Sequence, residues 1–575
     1  MTLKRPDTRR AVSHLDTRQH KDIDQEIRKY EEAVRDLKSQ RNTLAPIAKL
    51  PPELLSKIFL FCAAACASKY KQSLAWIKVS HVSKHWRAVA IGCPNLWSSV
   101  VFFSGSWAHE MLRRSKMAPL IIKADLTLMT PKMIATVQNA LKHITRVTDL
   151  HFTASSGTMD KLLGNLEHAA PLLQTLSISH TYPSYHYKNE RYVFPDTFLK
   201  GDAPKLEKLE LVGCSIPWNS TIFHNLTHLK IFDTGAQFCP SLDQLVEALD
   251  KMPKLECLDL TDCLPILPVD AISVSAPLRV VELPRLQQLK LCSQTLESAN
   301  VLNHISFPAS VTVNLVCRGS DASDSDFSSL VPALANWLNG ARSIQPLQRL
   351  LVDHFSTNSI RFQAWNHEGV EAKSPSSIPI LDMVLSWKHF GAHVVEHVIS
   401  TICASLPLSQ LRVLHVWQSE VIRSAAWVSI FGAMSKLRTI DVHGSYGHEL
   451  VKALSMTAQS PVTFPYLRTL ALDEVNFMVD RTDELTMLEP FMDCLMLRSE
   501  YGSEIRRLKI KRCSHILEAD VEALNQVVVD VSWDGIESGF GDDSEEDGFD
   551  SDEDFYGRRD PFYPDNEYYP LGLSR

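Results

Sequence analysis

Four arginines occupy equivalent positions in a recurring leucine-rich unit. The chemistry available to them is the binding of a partner through their positive charge. Each of them directly follows the first apolar residue of its unit: Arg412, Arg438, Arg468 and Arg506. Earlier copies carry Glu or Gln at the same position: Gln174, Glu207, Glu256, Gln287 and Gln348. If the units stack side by side, the arginines form a row at one edge, and such a row favours an acidic partner. The alternative interpretation is a solvated edge without a ligand.

Two further residues join the arginines as candidates for binding a substrate protein. Trp417 and Arg507 alternate with leucines inside predicted strands, so their side chains are expected to face solvent. Tryptophan and arginine are the residue types that dominate binding hot spots. The candidate substrate-binding set is therefore Arg412, Trp417, Arg438, Arg468, Arg506 and Arg507. A loop lying over Trp417 is the alternative.

The sequence predicts no catalytic residue, no metal and no cofactor. It has no GxGxxG, Walker, HExxH, GxSxG or DxDxDG pattern. The 22 histidines are dispersed, and the 12 cysteines form neither a CxxC pair nor a cluster with zinc spacing. We therefore predict that the chain is not an enzyme. A catalytic site assembled from residues distant in sequence stays open as an alternative.

A leucine-rich unit of the form apolar-x-x-apolar-x-apolar recurs from Val147-Leu150-Phe152 to Ile505-Leu508-Ile510. The spacing between copies is 20 to 38 residues, apart from one gap of 64 that is predicted to hide a degenerate copy near 380–385. Such periods are typical of leucine-rich repeats that carry an outer helix. The predicted fold is α/β: a solenoid over residues 101–533 with parallel strands on its concave face and helices outside. Cys214, Cys263 and Cys513 follow three of the units and are predicted to be structural, facing the backbone of a turn.

An apolar heptad pattern precedes the repeats. Its members are spaced alternately four and three residues apart: Ile23, Ile27, Tyr30, Val34, Leu37, Arg41 and Leu44. The pattern predicts a helix or short coiled coil over 21–45, after a disordered segment at 1–20. This helix either packs back on the next module or forms a weak dimer seam.

A small all-α module is predicted over 46–100. Pro51 and Pro52 suit a helix start, and the helix that follows presents an apolar face: Leu54, Leu55, Ile58, Phe59 and Cys62. A second helix is predicted from Trp76 to Ile91, and Cys93 to Trp97 close the module.

These segments carry a family resemblance. LPPELLSKIF at 50–59 and VSHVSKHWRAVAIGCPNLW at 79–97 together resemble an F-box, in the form common among fungal F-box-like proteins. The resemblance implies docking on the Skp adaptor of a cullin-type ubiquitin ligase. It places that docking on Leu50, Pro51, Pro52, Leu54, Ile58, Val79, Val82 and Trp86. The alternative is that these residues form the core of a small three-helix cap.

The charge of the chain is concentrated in a tail at 534–575 that is predicted to be disordered. Residues 534–555 hold eleven acidic residues and no Lys or Arg, against a net charge of −8 for the whole chain. The remainder is nearly neutral and gives no case for a nucleic-acid partner. The tail either competes for the arginine row or simply keeps the chain soluble.

The sequence shows no secretory signal and no apolar run of membrane-span length. A reduced intracellular location, cytoplasmic or nuclear, is therefore expected, with no membrane partner. The predicted function is a substrate-recognition adaptor of a Skp-cullin-F-box ubiquitin ligase, in which the repeats bind an unknown target protein. The alternative is a leucine-rich-repeat scaffold with no link to ubiquitin ligases.

Overall fold

The computed structural model describes two compact units of the chain. The described residues are 8–69, 74–102, 104–127, 130–164, 166–181, 191–268, 271, 273–274, 276–319, 327–340, 346–369, 378–387, 392–418, 422–432, 434–444, 447–455, 462–478 and 487–537. Unit 1 comprises Met1–Leu176 and Thr197–Lys205, and unit 2 comprises Ser177–Asp196 and Leu206–Arg575. The predicted boundary near residue 100 is therefore not a boundary between these units. The acidic tail beyond residue 537 lies outside the described residues.

Unit 1 begins with helices and continues with parallel strands that alternate with further helices. Its helices are α1 (Thr8–Thr43), α2 (Pro52–Lys69), α3 (Lys84–Gly92), α4 (Gly105–Ser115), α5 (Pro131–Leu141) and α6 (Ser156–Leu163). Its strands are β1 (Ser99–Val100), β2 (Leu120–Asp125) and β3 (Val147–Ala154), which pair in that order and in parallel. Helix α1 starts at Thr8, so it is longer than the helix predicted over 21–45.

The second helix predicted for the small module is broken in two. A 3-10 helix covers Ala75–His81, and α3 begins only at Lys84. The break lies at Ser83, whose backbone is extended and whose Oγ accepts a hydrogen bond from the backbone N–H of Trp86 at 3.1 Å. Serine at an N-cap position satisfies a donor that would otherwise have no partner, and so it sets the start of α3.

The core of this module is aromatic. Trp97 is completely buried, and its ring packs edge-on against Trp76 at 5.2 Å and Trp107 at 6.1 Å between centroids. Leu55 and Phe59 reach the same core from α2. The same core continues into α4, where Met111 is buried in it and Trp107 packs against it, so α4 helps to complete the core of the module.

Unit 2 alternates strands and helices. Strand β4 (Thr175–His180) crosses the unit boundary, and the remaining strands are β5 (Tyr192–Val193), β6 (Lys208–Val212), β7 (Cys214–Ser215), β8 (His228–Phe232), β9 (Cys257–Thr261), β10 (Val281–Glu282), β11 (Gln288–Gln294), β12 (Ile305–Ser306), β13 (Thr312–Arg318), β14 (Arg349–Ser356), β15 (Ser359–Trp365), β16 (Leu381–Ser386), β17 (Val413–Trp417), β18 (Thr439–His443), β19 (Thr469–Asp473), β20 (Arg507–Lys511) and β21 (Asp530–Trp533). Its helices are α7 (Leu242–Asp250), α8 (Thr295–Asn303), α9 (Leu330–Gly340), α10 (Ala392–Ser405), α11 (Ser424–Phe431), α12 (His448–Leu454), α13 (Leu488–Glu500) and α14 (Glu518–Val527).

A large, mostly parallel sheet forms the centre of unit 2, and consecutive helices from α8 to α14 pack against one another. The strand order is β6-β8-β9-β11-β13-β16-β15-β14-β17-β18-β19-β20-β21. Strand β15 is antiparallel to both of its neighbours, which the prediction of a uniformly parallel array missed. The degenerate copy predicted near 380–385 is confirmed as β16, but it pairs back to β13, so the strands do not follow chain order there.

Buried and exposed residues alternate along the strands of the sheet. Along β20, Leu508 and Ile510 are buried, whereas Arg507, Lys509 and Lys511 are exposed, and β8 repeats the pattern more weakly. Successive side chains of a strand point to opposite faces, so one face supplies the core and the other is free to carry polar groups. Each fully buried leucine contributes roughly 2 kcal/mol of transfer free energy, so the aliphatic positions dominate the stability of the sheet.

Apolar residues at helical spacing predict helices over three segments, SLDQLVEALDKM at 241–252, VPALANWLNGA at 331–341 and VVEHVISTICASL at 394–406, and α7, α9 and α10 confirm these predictions. The start of α7 is a reciprocal cap. Ser241 Oγ accepts from the backbone N–H of Gln244 at 3.2 Å, and the backbone N–H of Ser241 donates to Gln244 Oε1 at 2.9 Å. This capping box fixes where the helix begins. Among the described helices, none is both long enough and apolar enough to cross a membrane.

Candidate interaction surfaces

Helix α2 is apolar on two faces, and only one of them is covered. Leu55 and Phe59 are completely buried in the module core. Leu54, Ile58 and Phe61 are exposed, the last of them by 76%. The three exposed residues are four and three positions apart, so they share one face of the helix. We call this set the α2 stripe. An uncovered apolar face on a helix with a formed core is typical of a protein-docking surface.

The other residues that the resemblance assigned to docking divide into two groups. Pro51, Pro52 and Val82 are exposed. Leu50, Val79 and Trp86 are partly buried and pack against the module core, and the ring of Trp86 lies 5.1 Å from that of Phe59. Sequence reasoning missed Phe61, although its i+7 spacing from Leu54 was the signal that would have included it.

The arginines that the sequence placed at one edge do form a continuous row in unit 2. The backbone N–H of Arg438 donates to the carbonyl of Arg412, that of Arg468 to Arg438, and that of Arg506 to Arg468, each at 2.9 Å. These four residues precede β17, β18, β19 and β20, and we call them the arginine row. The predicted row is confirmed because parallel pairing repeats the same position at every strand.

Acidic groups neutralise the arginine row only in part. Arg412 pairs with Glu368, and Arg506 pairs with Glu504 at 2.7 Å. Arg468 donates to the backbone carbonyl of Glu504 at 2.8 Å, and no carboxylate in the described part of the chain forms an ion pair with it. Arg438 is exposed and makes no ion pair with a described residue. The row therefore keeps an excess of positive charge.

Trp417 and Arg507 lie at opposite ends of their strands. Arg507 opens β20 beside the row and pairs with Asp530 at 2.7 Å. Trp417 ends β17, five residues beyond Arg412, which is about 16 Å along an extended strand. The residues predicted to bind a substrate therefore lie on two separate surfaces, one at each end of the strands.

A polar cluster surrounds Trp417 at the carboxyl ends of β17 to β20. The rings of Trp417 and His443 lie 5.9 Å apart, and His443 Nε2 lies 3.2 Å from Glu474 Oε2. Arg512 contacts Asp473 at 2.8 Å and Glu474 at 2.6 Å. We call these five residues the Trp417 cluster. The sequence placed Trp417 and His443 on the concave face but named only Trp417 as a candidate for binding. It missed Asp473, Glu474 and Arg512, although polar residues at the end of successive units were a signal.

Backbone geometry builds the Trp417 cluster. Glu474 and Arg512 follow directly after their strands in the left-handed region, with φ of 58° and 48°. In that conformation the backbone N–H of Glu474 still donates across the sheet, to the carbonyl of Lys511 at 2.9 Å. The left-handed backbone conformation directs the side chains of Glu474 and Arg512 to the same edge of the sheet.

His443, Asp473 and Glu474 are ligand types that suit a divalent cation, and their ligand atoms lie within 4.8 Å of one another. Arg512 already contacts both carboxylates, so a cation would have to displace it. The hydrogen bond to Asp473 raises the pKa of the Arg512 guanidinium above its ordinary value. The geometry is therefore accounted for by ion pairing within the chain.

The cysteines that follow three units are structural, as predicted. Cys214, Cys263 and Cys513 are completely buried, and their thiols donate to backbone carbonyls. The donor–acceptor distances are 3.3 Å to Val212, 3.4 Å to Ile231 and 3.3 Å to Lys511. Burial raises the pKa of Cys513 to about 11 and raises the pKa of Cys214 and Cys263 too. A protonated buried thiol is a poor nucleophile.

No protein-family model matches the sequence, and no curated protein matches it. The fold is mixed α/β with a large, mostly parallel sheet, and its exposed features include an apolar helix stripe and a cationic edge.

Proposed function

We propose that the chain is a substrate-recruiting subunit of a Skp-cullin-F-box type ubiquitin ligase. In this proposal the small helical module is an F-box that docks on a Skp-type adaptor, and through it on a cullin. The strand-helix units of unit 2 are irregular leucine-rich repeats that hold a target protein. The chain then contributes proximity between target and ligase, and the bond chemistry belongs to a recruited partner.

The α2 stripe is the single observation that carries the proposal. A module that used all its apolar residues for its own core would bury Leu54, Ile58 and Phe61, whereas these three are exposed. The core is nevertheless complete without them, because Trp97, Phe59 and Leu55 are buried. Exposed aliphatic and aromatic side chains on a rigid helix are the groups that bind a partner with the least loss of conformational entropy.

Adaptor binding by the full chain tests this proposal. The variant Leu54→Asp with Ile58→Asp places two charges in the α2 stripe, and we expect it to weaken binding to a purified Skp-type adaptor by about 100-fold or more. Titration calorimetry measures the affinity. The thermal unfolding of the variant should match that of the wild type, since both positions are exposed.

Met117→Asp is the matched control. Met117 is an apolar side chain that is 83% exposed outside the small module, so it adds the same kind of charge elsewhere in unit 1. Its affinity for the adaptor should equal that of the wild type. Wild-type protein that does not bind the adaptor would instead favour a leucine-rich-repeat scaffold without a ligase partner.

We further propose that the arginine row is part of the surface that holds the target, and that the contacted part of the target is acidic. The support is that, among the residues the structure describes, no carboxylate pairs with Arg438 or Arg468, whereas Arg412 and Arg506 are paired. Positive groups at strand spacing raise the local potential together, which increases attraction for a negatively charged segment.

Charge reversal at the row should weaken binding of an acidic peptide. We expect Arg438→Glu with Arg506→Glu to lower the affinity of the full chain for a deca-glutamate peptide by about tenfold at low salt. Fluorescence anisotropy measures the affinity. Lys254→Glu with Arg285→Glu reverses two exposed cations that precede the first leucine of earlier repeats, and it should have little effect. Equal losses in both double variants would show that only net charge matters.

A further inference from the structure

Helix α1 carries an apolar seam that nothing in the described chain covers. Its members on the helix are between 47% and 67% exposed: Ile23, Ile27, Tyr30, Val34 and Leu37. They recur at alternating spacings of four and three residues, which keeps them on one stripe. We call these five residues the α1 seam. The sequence left open whether this helix packs back on the next module, and the exposure of the seam contradicts that interpretation.

The contact that α1 does make with the small module comes from another side of the helix. Asp36 pairs with Lys84 at 3.4 Å, and both side chains are exposed. At about 100° per residue, Asp36 lies about 140° from the centre of the seam. The seam therefore points away from the module while α1 contacts it.

We infer that the α1 seam binds the α1 seam of a second copy of this chain, as an antiparallel two-stranded coiled coil. Five large apolar side chains on each helix, at roughly 100 Å² each, would bury about 1,000 Å² in total, the lower bound for a specific interface. The inference does not depend on the proposed function.

The heptad positions identify the core layers. Ile27 and Val34 occupy position a, and Ile23, Tyr30 and Leu37 occupy position d. In an antiparallel pair each a residue packs beside a d residue of the partner, so Ile27 meets Leu37 and Val34 meets Tyr30. Every layer between Ile27 and Leu37 is then apolar in both chains, and at each end Ile23 packs against the aliphatic part of Arg41 of the other chain.

Charge selects the antiparallel orientation. In a parallel pair, Glu26 of each chain would lie beside Glu31 of the other, and the two Arg41 side chains would share one layer. In the antiparallel pair, Asp24 lies beside Lys38 of the other chain at both ends, which leaves one Glu31 pair at the centre. Two opposite-charge contacts thus replace two like-charge contacts, and the two Arg41 residues are separated.

The mass of the full chain in solution tests the pairing. We expect twice the 64.7 kDa of one chain at micromolar concentration, measured by sedimentation equilibrium. Ile27→Asp with Val34→Asp should return the protein to a monomer. Gln25→Asp with Ser39→Asp adds the same two charges at outer positions of the heptad and should remain dimeric. A wild-type monomer would overturn the inference.

Cysteine cross-linking tests the orientation. Glu31→Cys should give a disulfide-linked dimer under mild oxidation, because the two copies of position 31 meet at the centre of the antiparallel pair. Ile27→Cys should not, since the two copies of position 27 are then about 15 Å apart along the helix axis. Wild-type protein, with its exposed Cys62, controls for native thiols. Cross-linking through position 27 alone would overturn the antiparallel arrangement.

Discussion

Replacing Trp97 with alanine is expected to unfold the small helical module and to cost about 4 kcal/mol of stability. Trp97 is completely buried, and its indole Nε1 donates to the carbonyl of Ala90 at 2.8 Å. The guanidinium of Arg114 lies over its ring at 4.3 Å. Removing the side chain would leave a large cavity and would also remove one of the two hydrogen bonds to the carbonyl of Ala90, which still accepts from the backbone N–H of Cys93 at 3.3 Å. Both effects destabilise the module in the same direction.

The measurements for Trp97→Ala are limited proteolysis within residues 46–115 and adaptor binding by the full chain. We expect faster cleavage and loss of adaptor binding together. Trp97→Phe retains most of the buried area and loses only the hydrogen bond, so about 1 kcal/mol is expected for it. Wild-type resistance to proteolysis in Trp97→Ala would contradict the central role of this side chain.

This variant complements the changes in the α2 stripe. Leu54→Asp with Ile58→Asp is expected to remove binding while leaving the module folded, because these side chains are exposed. Trp97→Ala removes binding by removing the fold. Comparing the two variants therefore distinguishes residues that contact a partner from residues that hold those contact residues in place.

Replacing Arg498 with methionine is expected to destabilise unit 2 by about 3 kcal/mol. Arg498 is completely buried on α13, and burial lowers the pKa of its guanidinium. It donates to the carbonyls of Leu454 at 3.3 Å, Thr463 at 2.9 Å and Phe464 at 2.8 Å. Methionine removes all three of these hydrogen bonds, and only the carbonyl of Phe464 keeps another described donor, the backbone N–H of Leu467 at 3.2 Å. The loss exceeds the gain from removing a buried charge.

Chemical denaturation of the full chain measures this loss, and hydrogen exchange locates it in the segment from Phe464 into β19. Arg498→Lys retains the charge but cannot span three carbonyls, so it should lose about 2 kcal/mol. Arg506→Met, an exposed arginine of the same unit, should change stability by less than about 0.5 kcal/mol. Equal stability of Arg498→Met and the wild type would show that the three hydrogen bonds contribute nothing.

Arg498 also bears on the interaction surfaces. The turn that it holds leads directly into Arg468 of the arginine row and then into β19, which ends at Asp473 of the Trp417 cluster. A looser turn would shift both ends of this strand. Weakened binding of an acidic peptide is therefore expected in Arg498→Met even though Arg498 itself is inaccessible.

Local patterns in the sequence determined much of the molecule. The buried leucines of β17 to β20, the confirmed helices of unit 2 and the three structural cysteines follow from periodicity and from residue type. The arginine row was predictable too, because parallel strands in a fixed register repeat one position at every unit. These features depend on residues close together in sequence.

Only the tertiary structure decided the features that depend on distant partners. The antiparallel β15 and the return of β16 to β13 are pairings between segments far apart in the chain, which no local period encodes. Leu54 and Leu55 are neighbours and equally apolar, but only Leu55 is buried, because only one side of α2 meets the core of the module. Trp417 was likewise separated from the arginine row only in the folded chain, where the length of β17 sets the distance between them.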